Sequence, residues 1–385
     1  PAKLRSAAAG SSMGVMHEQV PTPIAHRTRR RITRRLMPFL FTLYAIAYLD
    51  RVNISYAGLE MTRDLGFSDE VFGFGAGIFF VGYFLLEIPG TLVVELWSAR
   101  KWFARILISW GLFASLTGLV STAHQFYWVR FLLGAAEAGF FPGIIVYLTH
   151  WYRYEDRGKA LALFLAAQPV ANVFGAPISG LLMKIHWLGY AGWRWLLIVE
   201  GLPAVFFGII TLYYLDDWPK DARWLTDAEH EWITVDLERE KQNKRALKPL
   251  SVGQALRHRD VILLTLVYFL RVTGSYGFTI WLPKILQKLS GLTTFEVTLA
   301  TAIPYLMSLP AIWWVGWHSD KTGERRWHVA LPTFAMPGAL ALSQNVGENV
   351  PATIVLFSIA MMGLFSGLAS FWAVRRQIKI RPQTR

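Results

Sequence analysis

The chain has 385 residues, of which 54% are hydrophobic, 15% aromatic and 17% charged, with a mean hydropathy of +0.34 and a formal net charge of +13. Soluble chains carry about a quarter charged residues, and the apolar residues here gather in runs of about 20, the length a helix needs to cross a hydrocarbon core of about 30 Å. An all-α integral membrane fold follows, because lipid cannot satisfy open strands and the runs lack the alternation of a barrel. There are no cysteines, which excludes disulfides, thiolate metal sites and cysteine nucleophiles. No HExxH, Walker A or GxGxxG motif stands in a usable context, so neither a metal nor a nucleotide cofactor is expected. The basic excess lies in loops between apolar runs, as membrane orientation requires, and is not the footprint of nucleic-acid binding.

Residues 1–35 are small, polar or basic and non-periodic, and read as a disordered cytoplasmic tail. They lack the apolar core of a cleavable signal peptide, so the first span is expected to serve as an uncleaved insertion signal. Ten apolar spans follow, at about 36–59, 71–97, 103–121, 125–150, 158–183, 193–215, 260–284, 295–317, 329–345 and 351–373. The segment from His26 to Arg35 is intensely basic and should stay inside. Arg100, Lys101, Arg105, Arg153, Arg157, Lys159 and the stretch Lys321 to Arg326 then fall on the same side, leaving mainly Arg63, Lys184 and Lys288 outside. An inside N-terminus is the orientation this predicts.

The loop 216–259 divides a six-span half, 36–215, from a four-span half, 260–373, and a basic tail, 374–385, follows. Within the loop, Thr226 followed three residues later by Glu229 marks a capping-box start for a surface helix. Six spans, a long loop and further spans form the layout of a two-bundle transporter with related halves. A weak repeat supports related halves. Glu95, Ser98, Arg100 and Lys101 follow span 2, and Asp320, Gly323, Arg325 and Arg326 follow span 8, at matching offsets. An acid at a helix end facing a basic pair can lock two helices on one side of the membrane.

These segments resemble the signature loop of the major facilitator superfamily. The second copy, Gly316-x-x-x-Asp320-Lys321-x-Gly323-x-Arg325-Arg326, matches well, whereas the first has Thr91, Glu95 and Ser98 where Gly, Asp and Gly are usual. That departure is itself similar to the anion:cation symporters, which import sugar acids, dicarboxylates and aromatic acids. Further likeness lies in Tyr48-Leu49-Asp50-Arg51-Val52-Asn53-Ile54, in Glu87-Ile88-Pro89-Gly90, in the span 4 string Arg130 to Gly143, in Glu200-Gly201-Leu202-Pro203 and in Trp281-Leu282-Pro283. The resemblance runs from about Leu36 to Trp372 and implies proton symport of a small organic anion by alternating access in an inner membrane, by a monomer. It also implies twelve spans, so the last two are expected to be missing. An inactive remnant of such a transporter, or an integral-membrane enzyme, are the readings it leaves beside symport.

Ionisable groups inside a bilayer are costly and by default functional or paired. At 1.5 Å per residue, Asp50 and Arg51 lie roughly 20 Å into span 1, Arg130 roughly 8 Å and Glu137 roughly 18 Å into span 4. Arg130 and Glu137, seven residues apart, share one helix face. A carboxylate substrate needs a cation, and the planar fork of Arg51 suits it best. Coupling to protons needs acids whose ionisation responds to burial and to a neighbouring cation; Asp50 and Glu137 fit, with Arg130 modulating them. The resemblance carries the same roles, and places Gln168, Tyr48 and Tyr83 in a central cavity for substrate contact. Arg271 and Tyr276 in span 7 are the candidates from the second half. Glu87 and Glu200, each near a proline, read as structural or gating.

Overall fold

The computed structural model describes residues 23–245, 254, 257–347 and 349–377. The expected tail segments 1–22 and 378–385, and part of the inter-half loop, lie outside the described residues. Helix α1 runs Pro23–Asp64, α2 Asp69–Leu96 and α3 Ala99–Thr117. The fourth span is two helices, α4 Ala123–Glu137 and α5 Phe140–Trp151, and the fifth is α6 Tyr154–Leu165 followed by α7 Ala167–Leu182. Helix α8, Gly192–Tyr214, completes the first bundle, and α9, Asp227–Arg245, follows it in the chain and packs on α1. The second bundle holds α10 Arg259–Ser290, α11 Thr294–Thr322, α12 Arg326–Ser343 and α13 Val350–Gln377. All ten apolar runs fall on these helices. Among the described residues, seven spans are long and apolar enough to cross a membrane by length and composition alone; those on α1, α3 and α12 are more charged or less apolar.

One feature departs from the sequence expectation. Residues 23–35, assigned by composition to a disordered tail, form the first three turns of α1. The helix has 42 residues and at 1.5 Å per residue is about 63 Å long, twice a hydrocarbon core. Its basic run is ordered because Arg27, Arg31 and Arg35 recur at helical spacing and share a face. Arg27 and Arg31 both reach Glu229 on α9, at 3.2 and 2.9 Å. The Arg35 guanidinium covers the rings of Tyr214 and Trp224 at 4.6 and 5.3 Å, while Arg29 pairs with Asp156 at 3.3 Å. Helix α9 is further tied to the α5–α6 turn by Arg153–Asp236 and Arg157–Glu240, at 2.5 and 2.9 Å. The expected Thr226–Glu229 cap is present in part: the Thr226 N–H donates to the Glu229 carboxylate at 3.0 Å.

The break between α4 and α5 positions the site. Gly139 adopts φ +83, which L-residues reach only with strain, and a Cβ there would stand 2.7 Å from the Gly90 carbonyl carbon of α2. Helix α4 therefore stops at Glu137, and one carbonyl left free near its end, that of Ala136, accepts from Arg105 of α3 at 3.1 Å.

The two bundles touch at the end remote from α9. There Asp69, in the first turn of α2, meets Lys284 and, at 3.0 Å, Lys288 of α10. Nearby, Phe72 of α2 packs edge-on against Trp281 of α10. Gly180 of α7 lies against Thr298 of α11. Among the described residues, no ion pair joins the two bundles at the α9 end.

Candidate functional site

Arg51, about two-thirds of the way along α1, organises the site. It ion-pairs with Glu137, and its other terminal nitrogen donates to the Tyr276 hydroxyl of α10 at 2.8 Å. Its guanidinium lies over the rings of Tyr83, Phe79 and Tyr276, at 5.1, 5.7 and 5.9 Å. Its Nε has no partner. One cation thus joins α1, α2, α4 and α10, and only α10 belongs to the second bundle. Glu137 is 2% exposed, in the last turn before the break, so it can face inward without a continuing helix to cover it.

Asp50, the neighbour of Arg51 in sequence, turns the other way, as a helical offset of 100° per residue requires. Its carboxylate accepts from Asn53 at 3.0 Å and from the indole N–H of Trp110 on α3. Neither Arg51 nor Arg130 pairs with it. Arg130, also buried, packs over the Phe79 ring at 4.9 Å, and its Nε has no partner. Arg130 makes no ion pair among the described residues. It acts on Asp50 and Glu137 through space only.

Gln168 stands at the start of α7, just after the α6–α7 break, and donates to the Tyr44 hydroxyl at 2.7 Å. Tyr44 stacks with Phe164 and with Phe141, which also stack on each other, and meets Tyr48 edge-on. Asn172 donates to the Gln168 main-chain carbonyl, one turn back. Arg271 is not joined to the Arg51 group: it donates to the Leu364 carbonyl of α13. The structure therefore brings together Arg51, Glu137, Tyr83 and Tyr276, sets Tyr48 and Gln168 around Tyr44, places Arg130 on the Phe79 ring that Arg51 also covers, and holds Asp50 and Arg271 by other partners.

The repeated turns differ in their pairing. In the second copy, Asp320 pairs with Arg325 at 2.7 Å, Arg325 also donates to Ser319, and Gly323 ends α11 in the left-handed region at φ 68. Arg326 starts α12, with its N–H on the Glu324 carboxylate. In the first copy, the acid that meets Arg100 is Asp217, from the segment after α8. Its carboxylate accepts from the Ser98 hydroxyl at 2.8 Å and from the Arg100 N–H at 2.9 Å, capping α3. Glu95 makes no ion pair among the described residues, and Lys101 leans over Trp97.

Trp110, Asn53, Tyr44 and Asp217 were not assigned from sequence. Asn53 carried a usable signal, one turn from Asp50. A buried Trp also needs an acceptor for its N–H, but nothing in the chain order points to Asp50 as that acceptor.

Two helical bundles joined through Arg51, with α4 ending at its partner Glu137, give the layout of a two-bundle membrane transporter. A model of the major facilitator superfamily matches residues 40–376. A putative tartrate transporter of Agrobacterium vitis is 42% identical over 356 residues, covering 92% of this chain and 79% of that protein. The putative metabolite transport protein NicT of Pseudomonas putida is 38% identical over 361 residues, covering 92% and 82%. The chain belongs to the major facilitator superfamily and is a multi-pass membrane transporter. Among solved structures, an inward-facing bacterial homologue of the lysosomal transporter Spinster superposes with a TM-score of 0.67 at 17% identity, over 90% of this chain and 75% of that one. A D-xylose–proton symporter gives 0.61 at 16% identity, over 92% and 83%. These two share the fold.

Proposed function

We propose that this transporter carries a small organic anion inward together with protons, and that Arg51 is the anion site. The observation that supports this most is the Arg51–Glu137 pair, with the remaining Arg51 donors on Tyr276 or unfilled. A substrate carboxylate and the Glu137 carboxylate compete for one guanidinium. Protonating Glu137 removes the competitor and leaves Arg51 free for bidentate capture of the anion. Loss of the anion on the other side lets Glu137 ionise and re-form the pair. Proton and anion are thereby bound together in the same states, the differential affinity that symport requires. Gln168 and the tyrosines supply partners for substrate hydroxyls, and the α10 contact through Tyr276 reports occupancy to the second bundle.

The basic residues cluster at the α9 end, which the positive-inside rule makes cytoplasmic. The bundles then meet at the outer end, and this is the inward-facing arrangement. The first substrates to try are hydroxylated dicarboxylates, because two of the relatives bear the name tartrate transporter. The test is proton flux into vesicles bearing this chain, read with a pH-sensitive dye while sugar acids, dicarboxylates and aromatic acids are added in turn. Flux with one class, abolished in Arg51→Ala, is the expected result. Anion uptake without proton flux would overturn the coupling.

A further inference from the structure

The proposed cycle runs through Glu137 and leaves the buried acids Asp50 and Glu200 aside. Glu200 on α8 is 7% exposed and lies in the membrane-spanning part of its helix. One of its carboxyl oxygens accepts from the Ser179 hydroxyl of α7 at 2.9 Å; the other, Oε2, has no partner. No cation pairs with it among the described residues. The neighbours that can carry charge are Asp50 and Tyr56, both on α1. The next residue on α8, Gly201, lies against Gly111 and Ser115 of α3, neither of which titrates. An unpaired carboxylate in such a place loses its hydration with no cation to compensate, so a neutral acid, with its proton on the free oxygen, is the form that fits.

Asn53 stands between this acid and Asp50. Its amide donates to Asp50 at 3.0 Å and lies close enough to Glu200 to act on its charge. Two carboxyls that flank one amide in a dry interior, where only one of them holds it, do not both ionise, and their protons belong to the pair. We propose that Glu200 is a proton-exchanging carboxyl of this transporter, holding a proton in the present state while Asp50 takes the Asn53 amide, and releasing it when Asn53 turns to Glu200. The position of Glu200 in a proton cycle rests on the symport reading; its capacity to hold and lose a proton does not.

Infrared difference spectra of the full chain in vesicles, between acid and alkaline pH, test this directly. A protonated-carboxyl C=O band that disappears on raising the pH, and is absent from Glu200→Gln, is expected. Ser179→Ala removes the sole hydrogen bond to the acid and should move that band without abolishing it, a shift that a folding defect in the glutamine variant cannot imitate. The absence of any band assignable to Glu200, or a band that persists at every pH, would overturn the proposal. Proton flux is measured on the same vesicles: if no anion drives protons in the wild type, symport fails while the spectra still decide the state of Glu200. Where symport holds, Glu200→Gln should move fewer protons per anion, and an unchanged ratio would exclude Glu200 from the cycle.

Discussion

Arg51 on α1 and Glu137 in the last turn of α4 are 86 positions apart and form an ion pair whose side chains are 11% and 2% exposed. Glu137 is enclosed almost completely and Arg51 largely so. Removing one partner from a buried pair typically costs about 3–5 kcal/mol, whereas replacing both with apolar residues of similar volume can be neutral. Arg51→Ala and Glu137→Ala should each lower the unfolding midpoint in detergent, and Arg51→Met with Glu137→Met should recover most of the loss. A double variant as unstable as the sum of the singles would mean that the pair is not coupled.

Gly139 fixes where that carboxylate sits. A non-glycine residue in the left-handed region costs about 1–2 kcal/mol, and here a Cβ also runs into the Gly90 backbone. Gly139→Ala should therefore destabilise by more than 2 kcal/mol on this scale and weaken transport by displacing Glu137. Gly77→Ala is the matched control, because nothing lies within 4 Å of a Cβ there. Alanine exceeds glycine in a helix interior by about 1 kcal/mol, so that variant should hold or gain stability in a thermal melt.

The span pattern was legible because apolar runs of membrane length have few alternative folds. Arg51 and Glu137 were legible as candidates because a charge inside such a run needs a reason. Their pairing was not, since it depends on the α4 break, and a Glu-Ala-Gly string does not announce a left-handed turn. The basic run before the first span was misassigned for a related reason: its charges looked solvated until α9 supplied Glu229, some 200 residues away in sequence. Glu95 failed as the partner of Arg100 because Asp217 offers two oxygens to the α3 terminus at once, a geometry only the folded loop creates.

The α9 clasp has a defined response to pH. Burial pushes the Glu229 carboxyl up, but the Thr226 N–H and hydroxyl, with Arg31 and Arg27, outweigh it and hold the group below its ordinary value of 4.5. A carboxyl so depressed contributes stability that is complete above that ordinary value and is lost as pH falls through its own, lower one. Amide exchange along α9 should stay slow at neutral pH and quicken only well into acid. In Glu229→Gln the exchange should already be fast at neutral pH, and its acid dependence should vanish. Exchange that is unaltered by the substitution would locate the hold on α9 in Arg153–Asp236 and Arg157–Glu240 instead.

At the opposite end, Asp69 is gripped by Lys284 and Lys288, one helical turn apart on α10, the only ion pairs between the bundles among the described residues. Exposed pairs of this kind contribute about 0.2–1 kcal/mol each, little for folding but enough to bias two transport states of similar energy. A bias of 1.4 kcal/mol is about tenfold in population, so Asp69→Asn should shift the balance toward opening at this end by a few-fold. The chain has no native cysteine, so spin labels placed singly at Phe67 and Gly291 report the distance across this end without background. A longer distance population should grow in Asp69→Asn, and raising the salt concentration should produce part of the same growth in the unmodified chain, because exposed pairs are screened. Identical distance distributions in all three conditions would show that the aromatic contact of Phe72 with Trp281 holds the bundles together here, and Trp281→Ala would then be the variant that opens them.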